Sequence, residues 1–219
     1  MSSGTLYRSS GVALLVGALL AIIGNVLSGI LFPGMNDPNQ YVSALWLPVM
    51  LLSFVGSLLL LIGLPAISAR QAPRAGWLGL VGFVLTFIGA FLFTSFSVVT
   101  LIVLPWLAQV APKLAAGNGP PAIFVYFLVA SLLFAVGGVL LGIATMRAGV
   151  LPRWAGLLII IGAVLNLVDF PLNGIISSIV MIVAFVLFGL GFAWIGYALV
   201  SGGSSEMAQP SPASSQAGS

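Results

Sequence analysis

Apolar residues along this chain do not alternate with polar ones. They gather into long runs, separated by short segments that hold nearly all of the charges. A helix needs about 20 apolar residues to cross a hydrocarbon core of roughly 30 Å. Six runs come close to or exceed that length: Gly11–Phe32, Tyr41–Ile67, Trp77–Leu104, Ala122–Thr145, Trp154–Phe170 and Ile175–Val200. None shows the apolar/polar alternation of a strand in an outer-membrane barrel, so helices are predicted. The expected fold is all-α: a polytopic membrane protein with six transmembrane helices in residues 1–200. From Ser201 onward the chain is rich in Ser, Gly, Pro and Ala, and a disordered cytoplasmic tail is expected.

Local signals refine two of these runs. The first follows Arg8 but is longer than the apolar core of a secretory signal, roughly 7–15 residues, and reads as a span. After the third, Arg74 and Lys113 lie far enough apart to need about 58 Å of helix, more than a bilayer with its headgroups. Pro105 has no amide donor and disfavours helical geometry at Leu104, so the helix is expected to stop or bend there, with Trp106 to Lys113 along the outer interface. Before the second span, Asp37-Pro38-Asn39-Gln40 has the form of a capping box, with Asp37 accepting from a first-turn amide and Gln40 reaching back.

Composition narrows the chemistry. Only 4% of the 219 residues are charged and 61% are hydrophobic, too few charges to cover a water-facing surface. The net charge of +3 comes from isolated basic residues that form no patch, which excludes nucleic acid as a partner. There is no cysteine and no histidine, so thiolate chemistry and the commonest metal ligand are absent. No cofactor and no metal site is expected. Lys and Arg are retained on the cytoplasmic side. With the N-terminus inside, Arg8, Arg70, Arg74, Arg147 and Arg153 all fall inside and only Lys113 outside. Both termini are then cytoplasmic, and the short loops and clean charge bias suggest a bacterial cytoplasmic membrane. All five tryptophans lie toward span ends, as expected of interfacial side chains.

An internal repeat is suggested by Arg8-x2-Gly11-x5-Gly17, Arg74-x-Gly76-x5-Gly82 and Arg153-x2-Gly156-x5-Gly162 at the starts of the odd spans. Among the even spans, Phe134-x2-Gly137-x4-Gly142 recurs as Phe188-x2-Gly191-x4-Gly196. Either the bundle contains three like-oriented helical hairpins, or chance produces such matches from residues common in membrane helices. In this register, steps of four place Gly17, Ala21, Asn25 and Gly29 on one face of the first span. The same steps give Gly82, Thr86, Ala90 and Thr94 on the third span, and Gly162 and Asn166 on the fifth. Stripes of small residues let helix backbones approach, so Gly17, Gly82 and Gly162, with Gly138 and Gly142 on the fourth span, read as helix-packing positions.

The one ionisable residue at plausible membrane depth is Asp169. With Asn166 one turn earlier, and Asn25, Thr86 and Thr94 on comparable stripes, it is the candidate polar site within the membrane or at its outer face. The competing reading makes Asp169 a capping residue of the outer turn Phe170-Pro171-Leu172-Asn173-Gly174, which costs less desolvation. Three functions are weighed. A non-enzymatic bundle acting as scaffold, accessory or regulatory subunit needs only packing stripes and short loops. A transporter or channel for protons, cations or a small solute would use the Asn166/Asp169 region. A membrane enzyme lacks a nucleophile paired with a base. The expected partners are the lipid bilayer and a protein partner or second copy within it.

Overall fold

The computed structural model describes residues 3–33, 37–116, 120–168 and 174–206. Among them there is no strand, and four helices are long and apolar enough to cross a membrane. The order is α1 (Ser3–Leu31), α2 (Pro38–Tyr41), α3 (Trp46–Val98), a π turn (Val99–Val103), α4 (Leu104–Val110), α5 (Pro112–Ala115), α6 (Pro121–Ala148), α7 (Arg153–Val168) and α8 (Gly174–Glu206).

With its 53 residues, α3 cannot be one rod. As a straight helix it would reach about 80 Å, yet the indole N–H of Trp46 at its start donates to the carbonyl of Thr100, just past its end, at 3.0 Å. The chain reverses at Gly76, where φ 56° and ψ −151° leave helical space and suit only a residue without Cβ. Residues 68–75, which lie between two of the apolar runs and read as a loop, are therefore helical up to this single break. They belong to the first limb of α3 (46–75), and the second limb (77–98) runs back.

Close approaches show how the segments pack. A Cβ added at Gly17 would meet Leu60, and one at Gly24 would meet Ser53, so α1 runs antiparallel to the first limb. The second limb pairs with α6 through Gly82 at Leu141 and Gly89 at Phe134. Next, α6 pairs with α7 through Gly142 at Gly156 and Gly138 at Ala163, and α7 with α8 through Gly162 at Phe188 and Gly191 at Ile159. Finally α8 returns to α1 through Gly196 at Gly11 and Ile182 at Gly29. In each pair one number rises as the other falls. The described residues thus form a closed up-and-down ring of six long helical segments, every neighbour antiparallel. Its middle is filled: Phe93, Phe134, Phe188 and Phe192 stack in succession with centroids 5.6, 4.4 and 4.7 Å apart, carrying contact from α3 through α6 to α8. Leu14, Leu64, Leu141, Ile159 and Ile195 complete the same buried cluster.

Three local expectations change. The helix does not stop at Pro105. The π turn carries it through to Val110, with Leu104 N–H reaching Val99 O; the next bond in that register would join residue 105 to Thr100 O, but Pro105 has no N–H to give. Trp46 supplies the missing donor. That role removes Trp46 from the interfacial set, since it is 1% exposed, whereas Trp77, Trp106, Trp154 and Trp194 face outward. In the capping box, Asp37 Oδ1 accepts from Asn39 N at 3.0 Å as expected and also from Asn39 Nδ2 at 2.9 Å, but Gln40 does not reach back: its Oε1 has no hydrogen-bond partner among the described residues.

Candidate functional site

The five polar positions singled out from sequence fare differently. Asp169 lies outside the described residues, as do Phe170 to Asn173 of its turn. Thr86 is fully buried and donates to Gly82 O at 2.7 Å; Thr94 donates to Ala90 O at 2.8 Å, and Asn25 to Ala21 O at 2.8 Å. Each of these bonds closes within one helix, on the carbonyl four residues back. That removes the desolvation penalty of a polar group in an apolar bundle without calling on a ligand. Among the described residues no hydrogen bond joins any two of the five. Asn166 stands apart: it is half-buried, and its Oδ1 is shielded from solvent with no hydrogen-bond partner among the described residues.

Four of the five packing glycines lie against backbone, and Gly138 lies against a side chain. A Cβ at Gly82 would sit 2.5 Å from Leu141 N, at Gly17 2.8 Å from Leu60 N, and at Gly162 2.7 Å from Phe188 N. At Gly142 it would sit 2.6 Å from Gly156 O, and at Gly138 2.8 Å from the Ala163 Cβ. No real Cβ tolerates such distances to backbone, so the helices approach as they do because these positions carry no side chain.

Charge is sorted between the two ends of the ring. The Arg70 guanidinium lies 5.5 Å over the Tyr7 ring, which ties the start of α1 to the end of the first limb of α3. A hollow of about 260 Å³ lined by Arg70, Pro73, Arg74 and Val150 brings the α6–α7 connection to the same place. Arg8 adjoins Tyr7, while Arg147 and Arg153 flank Val150, so all five arginines share one end. Asp37 and Lys113 share the other, where Phe32, Tyr41, Trp46, Val49, Met50, Leu101 and Ala115 form a second buried cluster joining α2, α3 and α5. Burial there raises the Tyr41 phenol pKa, and nearby Asp37 adds to the rise.

One polar pair near the arginine end was not anticipated. Gln71 is 1% exposed, and its Oε1 lies 3.1 Å from the hydroxyl of the fully buried Thr145, which also donates to Leu141 O at 2.8 Å. Gln71 Nε2 has no partner among the described residues. Exchanging the two ends of the amide would let Nε2 donate to Thr145 but would orphan Oε1 instead, so one polar atom stays unpaired either way. No sequence signal marks Gln71, because it falls between two arginines in a stretch that reads as a loop.

Compared with protein families, curated proteins and solved structures, the chain matches none.

Proposed function

We propose that this chain is a multi-pass membrane protein whose ring of six helical segments makes six spans, with the arginine-bearing end and both termini in the cytoplasm. Its work is that of a non-enzymatic scaffold, accessory or regulatory bundle. The observation that carries this reading is the filled middle of the ring, where aromatic and aliphatic side chains from α1, α3, α6, α7 and α8 form one buried cluster. A scaffold needs a rigid body with an apolar exterior, and large apolar side chains such as Ile62, Ile102 and Ile176 are exposed around this one. A bacterial cytoplasmic membrane, and a protein partner or second copy within it, are parts of the same proposal.

The close approaches also support three copies of one hairpin. Gly24 on Ser53, Gly89 on Phe134 and Gly162 on Phe188 are equivalent contacts, as are Gly56 on Ala21, Gly137 on Thr86 and Gly191 on Ile159. This equivalence sets Gly162 level with Gly24 and Gly89. The arginine-to-glycine spacing had aligned it with Gly17 and Gly82, seven residues earlier in each case (24 − 17 and 89 − 82). Seven residues are about two helical turns, so both registers present nearly the same face.

The second reading is a transporter with a polar site at Asn166 and Asp169, and the buried Oδ1 of Asn166, which has no partner among the described residues, favours it. Water access separates the two. The chain has no native cysteine, so Asn25→Cys, Thr86→Cys and Asn166→Cys can each be labelled in intact and in opened membranes with an impermeant thiol reagent. Lys113→Cys and Ser201→Cys, both exposed positions, serve as controls. The scaffold reading expects the controls to react and the three interior positions to stay dark. Labelling at all three interior positions would mean a water-filled path and would replace the scaffold by the transporter.

A further inference from the structure

We infer that the hollow lined by Arg70, Pro73, Arg74 and Val150 binds the phosphate of an anionic lipid headgroup. This rests on the six-span reading only in placing that end at the inner leaflet.

Charge supplies the attraction. Five arginines gather at this end, the whole chain has three acidic residues, and one of them, Asp37, lies at the opposite end. The excess of positive charge therefore holds whatever the other two acidic residues do. The hollow itself is bounded by two arginines one helical turn apart, which project to the same side of α3, with Pro73 and Val150 as its apolar remainder. A guanidinium offers N–H donors in a planar fork that suits a phosphate. Stacking over Tyr7 engages the face of the Arg70 guanidinium and orients it beside Arg74.

Depth identifies the source of the phosphate. Trp77 directly follows the break at Gly76 and Trp154 directly follows Arg153; they are 77% and 68% exposed on the flanks of this end. Exposed tryptophans of this kind sit at headgroup level in a bilayer. A hollow between them meets lipid phosphates, and its apolar walls meet the glycerol and upper acyl chain. Basic pockets at the cytoplasmic ends of membrane helices are suited to such headgroups.

The test is native mass spectrometry of the full chain in mild detergent, with phosphatidylglycerol or phosphatidylcholine of matched acyl chains. Phosphatidylglycerol should be retained over phosphatidylcholine. Arg74→Gln and the double variant Arg70→Gln/Arg74→Gln should weaken that retention stepwise, by about fivefold and then about thirtyfold. Lys113→Gln at the far end should leave it unchanged. Arg74 is exposed and its loss threatens no packing, so the single variant remains informative even if the double variant misfolds. Equal retention of both lipids, or phosphatidylglycerol retention that survives Arg74→Gln and the double variant alike, would overturn the site. Displacement of the lipid by millimolar inorganic phosphate would also overturn it, in favour of a soluble phosphoryl ligand. Detergent micelles have no sidedness, so an error in orientation cannot pass for a failure of the site.

Discussion

The two ends of the ring solve the same problem, reversing a helical chain, in opposite ways. At the arginine end the first limb of α3 turns into the second through one non-helical residue, Gly76, and α6 passes to α7 after Gly149, whose φ is 63°. These connections are short, with four arginines around them, and the second is anchored by Leu151, which is buried in the main core cluster. At the other end the chain builds a small apolar cap from α2, α5, the π turn and the start of α3, with Trp46 at its centre. Phe32 and Tyr41 pack edge-on against Trp46, with ring centroids 5.0 and 4.9 Å away. The difference shows what a proline requires. Pro105 leaves a carbonyl without its donor next to a buried cluster, and a specific side chain from 54 residues away answers it.

The largest expected effect lies between the two ends, where helices touch backbone to backbone. In Gly89→Leu the new Cβ would fall 2.6 Å from Phe134 N, and backbone cannot yield as a flexible side chain can. Thermal unfolding in detergent should show a loss of about 3 kcal/mol or failure to fold. A loss under about 1 kcal/mol would mean that α3 and α6 are not in this register.

A smaller effect belongs to the cap. Trp46→Phe keeps most of the buried ring but leaves Thr100 O unanswered, which costs about 1–2 kcal/mol. Amide exchange should also speed up locally at residues 99–104, while the arginine end stays protected. Uniform loosening at both ends would show that the cap is not a separate unit.

The smallest effect is expected at Gln71→Met, near the arginine end. Thr145 keeps its bond to Leu141 O and the unpaired amide atom disappears, so stability should change by less than about 1 kcal/mol or rise slightly. A loss above about 2 kcal/mol would reveal a partner for Gln71 that the described residues lack.

Much of this fold is legible from hydropathy alone. The apolar runs locate each of the long helices, although α1 starts eight residues before its run and the first limb of α3 continues eight residues past its own, and the positions of the arginines anticipate which connections share an end. The break at Gly76 is not legible, because Arg70 to Ala75 reads as loop whether or not it is helical; only a close look at what a glycine permits would single it out. The π turn is equally silent, since Val99–Val103 is an unremarkable apolar stretch and its cause, Pro105, signals an end more readily than a detour. The glycine periodicity identifies the packing faces but not their register, because a shift of two turns returns almost the same face. For the polar site, hydroxyls on a stripe look alike in sequence whether they line a cavity or bond their own helix. The structure places Thr86 and Thr94 in the second class.

The central claim is that α3 is two antiparallel limbs and hence two crossings of the membrane. It is tested most directly by the sidedness of the segments that bracket it. With Asn39→Cys and Lys113→Cys labelled separately in intact cells by an impermeant thiol reagent, and Arg74→Cys and Val150→Cys as the opposing pair, two crossings predict a simple division. Positions 39 and 113 react from outside, and 74 and 150 only after the membrane is opened. If 39 and 113 react from opposite sides, α3 crosses once and the six-span ring is wrong.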